Sequence, residues 1–128
     1  MIFSLENKTA VVTGAAGYFG DSFCRALLDF GCKVVLLGRG DKIANKAQEY
    51  SLEYGKDAIE LHRDAISKGD RVLIVDDLIA TGGTARATGD LVKRLGGEIA
   101  SFAFLIELVD LDGGKLLTNS PVLSIIQC

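Results

Sequence analysis

The chain has 128 residues, with 14 Lys and Arg against 17 Asp and Glu and a formal charge of −3. This length indicates one domain, and 48% hydrophobic with 24% charged residues is the composition of a packed globular protein. No apolar run is long enough to span a bilayer, the first eight residues lack a signal-peptide pattern, and the acidic balance disfavours sequence-independent nucleic-acid binding. We therefore expect a cytoplasmic protein, or a recombinant one with no native compartment, without membrane or nucleic-acid partners. Its oligomeric state stays open.

Cysteine and glycine usage gives two further indications. Cys24, Cys32 and Cys128 form no CxxC pair and have no partner histidine at ligand spacing, so we predict no metal site. Glycine is frequent, at 15 residues against one proline, which indicates tight turns between strands and helices.

The first third of the chain alternates strand and helix. The β-branched run at residues 9–13 predicts a strand that enters a glycine-rich turn at 14–20. A second apolar strand at 33–37 completes a βαβ unit, and Asp41 is a candidate cap for the next helix. The helix between the two strands is predicted to bury Phe19, Phe23, Ala26, Leu27 and Phe30.

The pattern weakens in the middle and returns near residue 71. Residues 50–55 have the composition of a loop or lid, and the alternation at 58–62 is typical of an edge strand whose pairing stays open. A strand is predicted at 72–75, ended by Asp76 and Asp77, and further strands at 99–108 and 122–126. Between the first two strands, residues 81–84 begin a helix. Its predicted buried face contains Ala85, Thr88, Leu91, Val92 and Leu95.

Alternating strands and helices predict the fold class. We expect an α/β fold with a single doubly wound, mostly parallel, Rossmann-like sheet of five to six strands and helices on both faces. The expected strand order is 3-2-1-4-5. Residues 1–128 would form one domain made of two halves, 1–47 and 48–128.

Two glycine-rich turns, at 14–20 and 80–84, each lie between a strand and a helix. Such a turn brings unpaired backbone N–H groups and the positive end of a helix dipole to one place, where an anion is stabilised. A small phosphorylated ligand, or a phosphate or sulfate ion, is therefore the expected partner.

The first turn, Thr13-Gly-Ala-Ala-Gly-Tyr-Phe-Gly20, resembles the cofactor loop of short-chain dehydrogenases, and the resemblance covers about residues 3–45. It implies NADP as a cofactor, bound by Gly14, Gly17, Gly20 and Arg39. The Tyr-x-x-x-Lys pair that this family uses for hydride chemistry is missing, because no tyrosine of the chain has a lysine four residues later.

Residues 72–84, Val-Leu-Ile-Val-Asp-Asp-Leu-Ile-Ala-Thr-Gly-Gly-Thr, resemble the ribose-phosphate signature of purine phosphoribosyltransferases, and flanking residues extend the resemblance to adenine phosphoribosyltransferase over about 49–128. It implies phosphoribosyl pyrophosphate with Mg²⁺ as ligand, and it makes Glu53 a candidate for assisting at the reacting ribose carbon. The implied phosphate- and ribose-binding residues are Asp76, Asp77, Ala80, Thr81, Gly82, Gly83 and Thr84.

Two family signatures in so short a chain predict a recombined or engineered chimera, joined near residues 46–50. Our leading interpretation is a scaffold that keeps phosphate-binding loops but has no complete active site and no efficient activity. The alternatives are a purine phosphoribosyltransferase that uses phosphoribosyl pyrophosphate, an NADP-binding oxidoreductase fragment, and a purely structural domain that binds nothing in particular.

Overall fold

The computed structural model describes residues 4–38, 40–61, 66–117 and 120–128. Its contacts divide the chain into two compact units, Met1–Ala65 and Ile66–Cys128. Each unit combines strands and helices, and each is described by itself below.

The first unit is a strand–helix–strand arrangement followed by a second helix and a short strand. β2 pairs in parallel with β1, from Thr9 opposite Lys33 to Thr13 opposite Leu37, and β3 pairs in parallel with β2. The predicted edge strand at 58–62 is thus confirmed as a short parallel strand, while His62 lies outside the described residues. The elements are β1 (Thr9–Thr13), α1 (Gly20–Asp29), β2 (Lys33–Leu37), α2 (Asp41–Tyr54) and β3 (Ile59–Glu60).

The second unit begins with two long strands joined by a helix. β5 pairs in parallel with β4, with one register irregularity between Val72 and Leu73, and β6 pairs in parallel with β5. The elements are β4 (Arg71–Ile79), α3 (Gly83–Arg94), β5 (Glu98–Glu107), the 3-10 helices Val109–Leu111 and Gly113–Leu116, and β6 (Val122–Gln127).

The strand order is β3-β2-β1 in the first unit and β4-β5-β6 in the second, with β6 as a sixth strand beyond the predicted five. The predicted parallel α/β fold class is confirmed. Every strand pair with a described register is parallel. Strands of a parallel sheet are commonly buried on both faces, which is why they read as continuous apolar runs. The fully buried strand residues are Ala10, Val11, Val12, Val34, Val35, Val72 and Ile74.

Two predicted helix faces have different outcomes. In α1 the buried residues are Gly20, Cys24 and Leu28, so the predicted face with Ala26 and Phe30 is wrong by about one position. In α3 the buried face contains Ala85, Thr88 and Val92 as predicted, together with Gly89, whereas Leu91 and Leu95 of the predicted face are only partly buried. In α1 the apolar residues Phe23, Cys24, Ala26, Leu27 and Leu28 lie on several sides of a ten-residue helix, so the buried face is ambiguous from sequence. The small residues of α3 mark one face clearly.

Residues 50–54 form the last turn of α2, so the expected loop or lid at 50–55 is wrong. Tyr50 is completely buried. The helix ends at Tyr54, and the following Gly55 has a φ of 99°, a positive value that glycine adopts readily. At the other end of α2, Gly40 is the cap residue and Asp41 is the first helical residue.

Candidate functional site

The predicted phosphate loop lines a pocket of about 250 Å³ in the second unit. Its wall is one unbroken stretch of chain, residues 76–85, which includes every phosphate- and ribose-binding position predicted by the resemblance. Thr81 and Thr84 are exposed, so their hydroxyl groups are accessible to a ligand. The structure therefore brings the second predicted set of residues together.

Backbone N–H groups at the start of α3 supply donors to this pocket. Gly82 is the cap residue, in a left-handed conformation with φ 86°, and Arg86 N–H makes the first intrahelical bond, 2.9 Å to the Gly82 carbonyl. The preceding helical amides, those of residues 83–85, have no acceptor within the helix. No side chain caps this end and no acid lies in the first turn, so nothing on α3 competes with an anion.

Asp76 and Asp77 lie inside β4 and not at its end, which corrects the prediction that they end the strand. The ladder to β5 continues past them to Ile79, which is opposite Glu107. Both carboxylates are partly exposed, and Asp77 N–H donates to Asp76 Oδ1 at 2.8 Å. Strand pairing therefore fixes the backbone of both residues at the pocket wall.

In the first glycine-rich turn, two backbone amides donate hydrogen bonds to carbonyl groups of the same turn. Gly17 N–H donates to the Gly14 carbonyl at 2.8 Å, and Gly20 N–H donates to the Gly17 carbonyl at 3.2 Å. A Cβ on Gly20 would lie 2.3 Å from the Ala15 carbonyl oxygen, so glycine is required there by close packing. Arg39 lies outside the described residues. Binding of NADP by these glycines and Arg39 stays a prediction.

A carboxylate occupies the first turn of α1, where the sequence suggested an anion site. Asp21 accepts hydrogen bonds from Tyr50 Oη at 2.6 Å and from Lys46 Nζ at 3.1 Å. Arg25 Nε lies 3.1 Å from the same carboxylate. These contacts lower the pKa of Asp21 to about 2. The hydrogen bond from Tyr50 contributes most to this shift, followed by those from Lys46 and Arg25. Asp21 is therefore ionised at neutral pH.

Glu53, the candidate for assisting at the ribose carbon, is part of α2. Its carboxylate pairs with Arg25 Nη1 at 2.5 Å, and half of its side chain is exposed. Arg25 also pairs with Glu49 at 2.7 Å, so this cation joins α1 to α2 through two acids. A catalytic role for Glu53 stays a prediction.

This ionic network was missed by sequence reasoning because its members are far apart in the chain. Asp21 and Tyr50 are 29 residues apart and lie in different helices, so no local spacing pattern in the sequence relates them. The available signal was the set of charged positions on α2 that lie three or four residues apart, namely Lys46, Glu49 and Glu53.

Three further observations concern metal ligands, the buried thiols and helix length. Among the residues that the structure describes, no group of three or more His, Cys, Asp or Glu side chains could hold a metal ion. Burial raises the pKa of the Cys24 and Cys32 thiols to about 11, so neither is a thiolate at neutral pH. No helix within the described ranges has both the length and the apolar character needed to cross a bilayer.

A second pocket of the same unit, about 230 Å³, contains none of the predicted site residues. Arg86, Lys93 and Lys115 lie on its rim and Phe102 lines it. Lys115 is already paired with Asp112 at 2.8 Å. The 76–85 pocket is the one in which sequence motif and geometry coincide.

Comparison with known families identifies the family of the chain. The sequence profile of the "Phosphoribosyl transferase domain" family matches residues 22–117, three quarters of the chain. The chain belongs to this family.

Curated proteins similar to this chain include adenine phosphoribosyltransferases of cyanobacterial strains. "Adenine phosphoribosyltransferase" of Picosynechococcus sp. (strain ATCC 27264 / PCC 7002 / PR-6) is 56% identical over 79 residues, which are 62% of this chain and 46% of the relative. The protein of the same name from Nostoc punctiforme (strain ATCC 29133 / PCC 73102) is 57% identical over 79 residues, with the same coverage. The chain thus spans about half the length of the curated relatives it matches.

Solved structures resemble a larger part of the chain. Adenine phosphoribosyltransferase from Rhodothermus marinus DSM 4252 has 42% identity and a TM-score of 0.65, covering 94% of this chain and 69% of that one. The enzyme from Thermoanaerobacter pseudethanolicus ATCC 33223 has 33% identity and a TM-score of 0.64, covering 94% and 70%. The Saccharomyces cerevisiae structure, 29% identical with a TM-score of 0.58 over 90% and 63%, is complexed with an imino-altritol bisphosphate and adenine.

These findings overturn the leading interpretation of an engineered chimeric scaffold without an active site. The family profile runs across the predicted junction at 46–50, and the similar structures cover residues of both predicted halves. The relatives are named as transferases, which favours the enzyme alternative. Neither the dehydrogenase resemblance of residues 3–45 nor NADP as cofactor is supported by these comparisons.

Proposed function

We propose that this chain binds phosphoribosyl pyrophosphate in the 76–85 pocket and takes part in transfer of the phosphoribosyl group to adenine. The observation that carries the proposal is the pocket itself, which is lined without interruption by the predicted loop. The substrate class comes from the relatives, which are named adenine phosphoribosyltransferase.

The 5′-phosphate of the ligand would bind at the start of α3. The amides of residues 83–85 and the hydroxyls of Thr81 and Thr84 are hydrogen-bond donors, and a phosphate offers only acceptor oxygens at neutral pH. The helix dipole adds a favourable term for negative charge. Asp76 and Asp77 line the same pocket, where their carboxylates would accept hydrogen bonds from the ribose hydroxyls.

The two carboxylates also fit the way in which proteins hold Mg²⁺. This ion keeps several water ligands and is usually bound through one or two carboxylates together with substrate phosphates. Asp76 and Asp77 provide two carboxylates at the pocket wall, and the pyrophosphate of the ligand would provide the phosphate groups. Bound Mg²⁺ would neutralise charge on the departing pyrophosphate.

Phosphoribosyl transfer forms a bond between a ring nitrogen of adenine and ribose C1 and breaks the bond from C1 to pyrophosphate, which leaves with the electron pair. The proton of that nitrogen is released to solvent. The residues proposed here bind the sugar hydroxyls and the phosphate groups and form no bond with C1. By holding the 5′-phosphate and the ribose hydroxyls, they fix C1 in one place, and such positioning lowers the entropic part of the barrier.

Calorimetric titration with phosphoribosyl pyrophosphate and Mg²⁺ tests the binding step. We expect saturable binding that is weakened in Thr84→Val, which removes the hydroxyl but keeps the branched shape, and retained in Thr84→Ser, which keeps the hydroxyl. A ligand at about 100 times its dissociation constant adds roughly 2.7 kcal/mol, so Tm should rise by several degrees. Absence of binding to the unsubstituted chain would refute the proposal.

The transfer step is tested by measuring AMP formation from adenine, phosphoribosyl pyrophosphate and Mg²⁺, with hypoxanthine in a parallel reaction. We expect AMP formation that depends on both substrates and falls in Asp76→Asn and Asp77→Asn. Binding without AMP formation would restrict the function of this chain to holding the ribose phosphate.

A further inference from the structure

We propose that Gly113 is a positioning residue for the phosphate loop, and this inference rests on the proposed function. Gly113 begins the 3-10 helix Gly113–Leu116 and is buried. It lies 29 residues after Thr84, outside the 72–84 signature. Its role follows from the contacts that its backbone makes with the loop.

The two segments touch through backbone atoms. A Cβ on Gly113 would lie 2.3 Å from the Ala80 carbonyl oxygen and 2.9 Å from the Gly82 amide nitrogen. Reciprocally, a Cβ on Gly82 would lie 2.3 Å from the Gly113 carbonyl oxygen. Real Cβ atoms do not approach other atoms so closely, and a backbone cannot move aside as a flexible side chain can. Gly113 thus contacts the loop on both sides of Thr81.

The segment that carries Gly113 is itself well anchored. Asp112 N–H donates to the Val109 carbonyl at 3.0 Å, and Val109 N–H donates to the Cys128 carbonyl at 2.9 Å. Leu117, at the far end of the 3-10 helix, is buried with 5% exposure. A group added at Gly113 would therefore displace the loop more readily than the 3-10 helix.

Displacement of the loop would alter the donors that a phosphate needs. In the described part of the chain, the Thr81 and Gly82 amides donate to no backbone carbonyl. Their directions are therefore set by packing and not by secondary structure. Gly113 packs directly against Gly82, so it restricts where that donor points.

Gly113→Ala tests this inference, with Gly114→Ala as the matched control. Neither glycine is among the residues with positive φ, so alanine is compatible with the backbone at both positions. A Cβ on Gly114 would meet nothing within 4 Å. Dissociation constants for phosphoribosyl pyrophosphate with Mg²⁺ should be measured by calorimetry at a temperature where every variant is folded. We expect binding at least ~10-fold weaker in Gly113→Ala, which is 1.4 kcal/mol, and unchanged in Gly114→Ala.

Each result has a distinct meaning. Equal affinity in Gly113→Ala and the unsubstituted chain would overturn the positioning role, whereas no binding to the unsubstituted chain would overturn the proposed function instead. Steady-state kinetics adds a readout that a merely structural role would not change: KM for phosphoribosyl pyrophosphate should rise while KM for adenine stays constant.

A measurement on the unsubstituted chain keeps the inference testable if Gly113→Ala does not fold. In amide NMR spectra, saturating phosphoribosyl pyrophosphate should shift the resonances of Gly82 and Gly113 together, while Gly69, in a separate turn, stays in place. A shift of Gly82 without any shift of Gly113 would contradict the inference.

Discussion

The two glycine-rich turns look alike in sequence, but the structure gives them different properties. Each follows a parallel strand and precedes a helix. In the first turn, at 14–20, two amides are used in internal hydrogen bonds and the ionised Asp21 lies in the following helical turn. In the second turn, at 80–84, α3 begins without an acid or a side-chain cap.

This comparison shows that a glycine-rich turn does not make an anion site by itself. What matters is whether its N–H groups remain available and which charges lie within one helical turn of them. Asp21 stabilises the N-terminus of α1 as an anion would, since negative charge near this end of a helix is favourable. The Asp21 carboxylate therefore already supplies the negative charge that a phosphate would bring to the N-terminus of α1.

The largest expected effect is that of Gly82→Ala. A side chain in this left-handed conformation costs roughly 1–2 kcal/mol, and its contact with the Gly113 carbonyl adds about 1–3 kcal/mol of overpacking. We expect a large fall in the free energy of unfolding and loss of phosphate binding, measured by urea denaturation and calorimetry. Retained phosphate affinity would show that this loop is not the binding site.

Thr84→Asp makes the second turn resemble the first. An acid in the first turn of α3 repels a bound phosphate, and two like charges about 4 Å apart at a protein surface interact by up to ~4 kcal/mol. We expect phosphate affinity to fall at least ~10-fold while stability rises by about 0.3–1 kcal/mol through the helix dipole. Thr84→Asn, which lacks the charge, is the control, and equal binding by Thr84→Asp and Thr84→Asn would contradict the charge argument.

Gly20→Ala tests whether the first turn affects stability without affecting ligand binding. Its Cβ would lie 2.3 Å from the Ala15 carbonyl oxygen, so we expect destabilisation of about 1–3 kcal/mol in spite of the better helix propensity of alanine. Affinity for phosphoribosyl pyrophosphate should stay unchanged in the folded variant. Exposed Ser22→Ala, in the same helical turn, is the control for stability, and a loss of affinity in Gly20→Ala would mean that the first turn also contributes to binding.

Local patterns in the sequence were sufficient for most of the fold. Apolar runs located β1, β2 and β5, and the small residues of α3 marked its buried face. The Ala80–Thr84 loop could be predicted because the residues that line the pocket form one continuous stretch of the chain.

The failures involve contacts between residues far apart in sequence. Tyr50 has the local appearance of a loop residue, but its ring is buried and its hydroxyl bonds to Asp21. Aspartate is uncommon within strands, so Asp76 and Asp77 were predicted to end β4. Pairing with β5 keeps both residues inside the strand. The contact of Gly113 with Gly82 leaves no local sequence pattern.

The smallest expected effect is the pH dependence contributed by Asp21. Its pKa falls from the ordinary 3.8 to about 2 in the folded chain, chiefly through the Tyr50 hydrogen bond. A lowered pKa stabilises the fold above about pH 4, and this contribution disappears as the pH falls toward 2. Because 39% of the Asp21 side chain is exposed, screening limits the effect to less than about 1 kcal/mol.

We therefore expect Asp21→Asn to lower Tm by about 2–4 °C at pH 6 and to have less effect near pH 2. Thermal unfolding followed by circular dichroism at both pH values measures the difference. Asp41→Asn, an exposed acid in the first turn of α2, is the control and should keep the pH profile of the unsubstituted chain. If Asp21→Asn keeps that profile as well, the carboxylate does not stabilise the first turn, and the contrast between the two turns reduces to the availability of their amides.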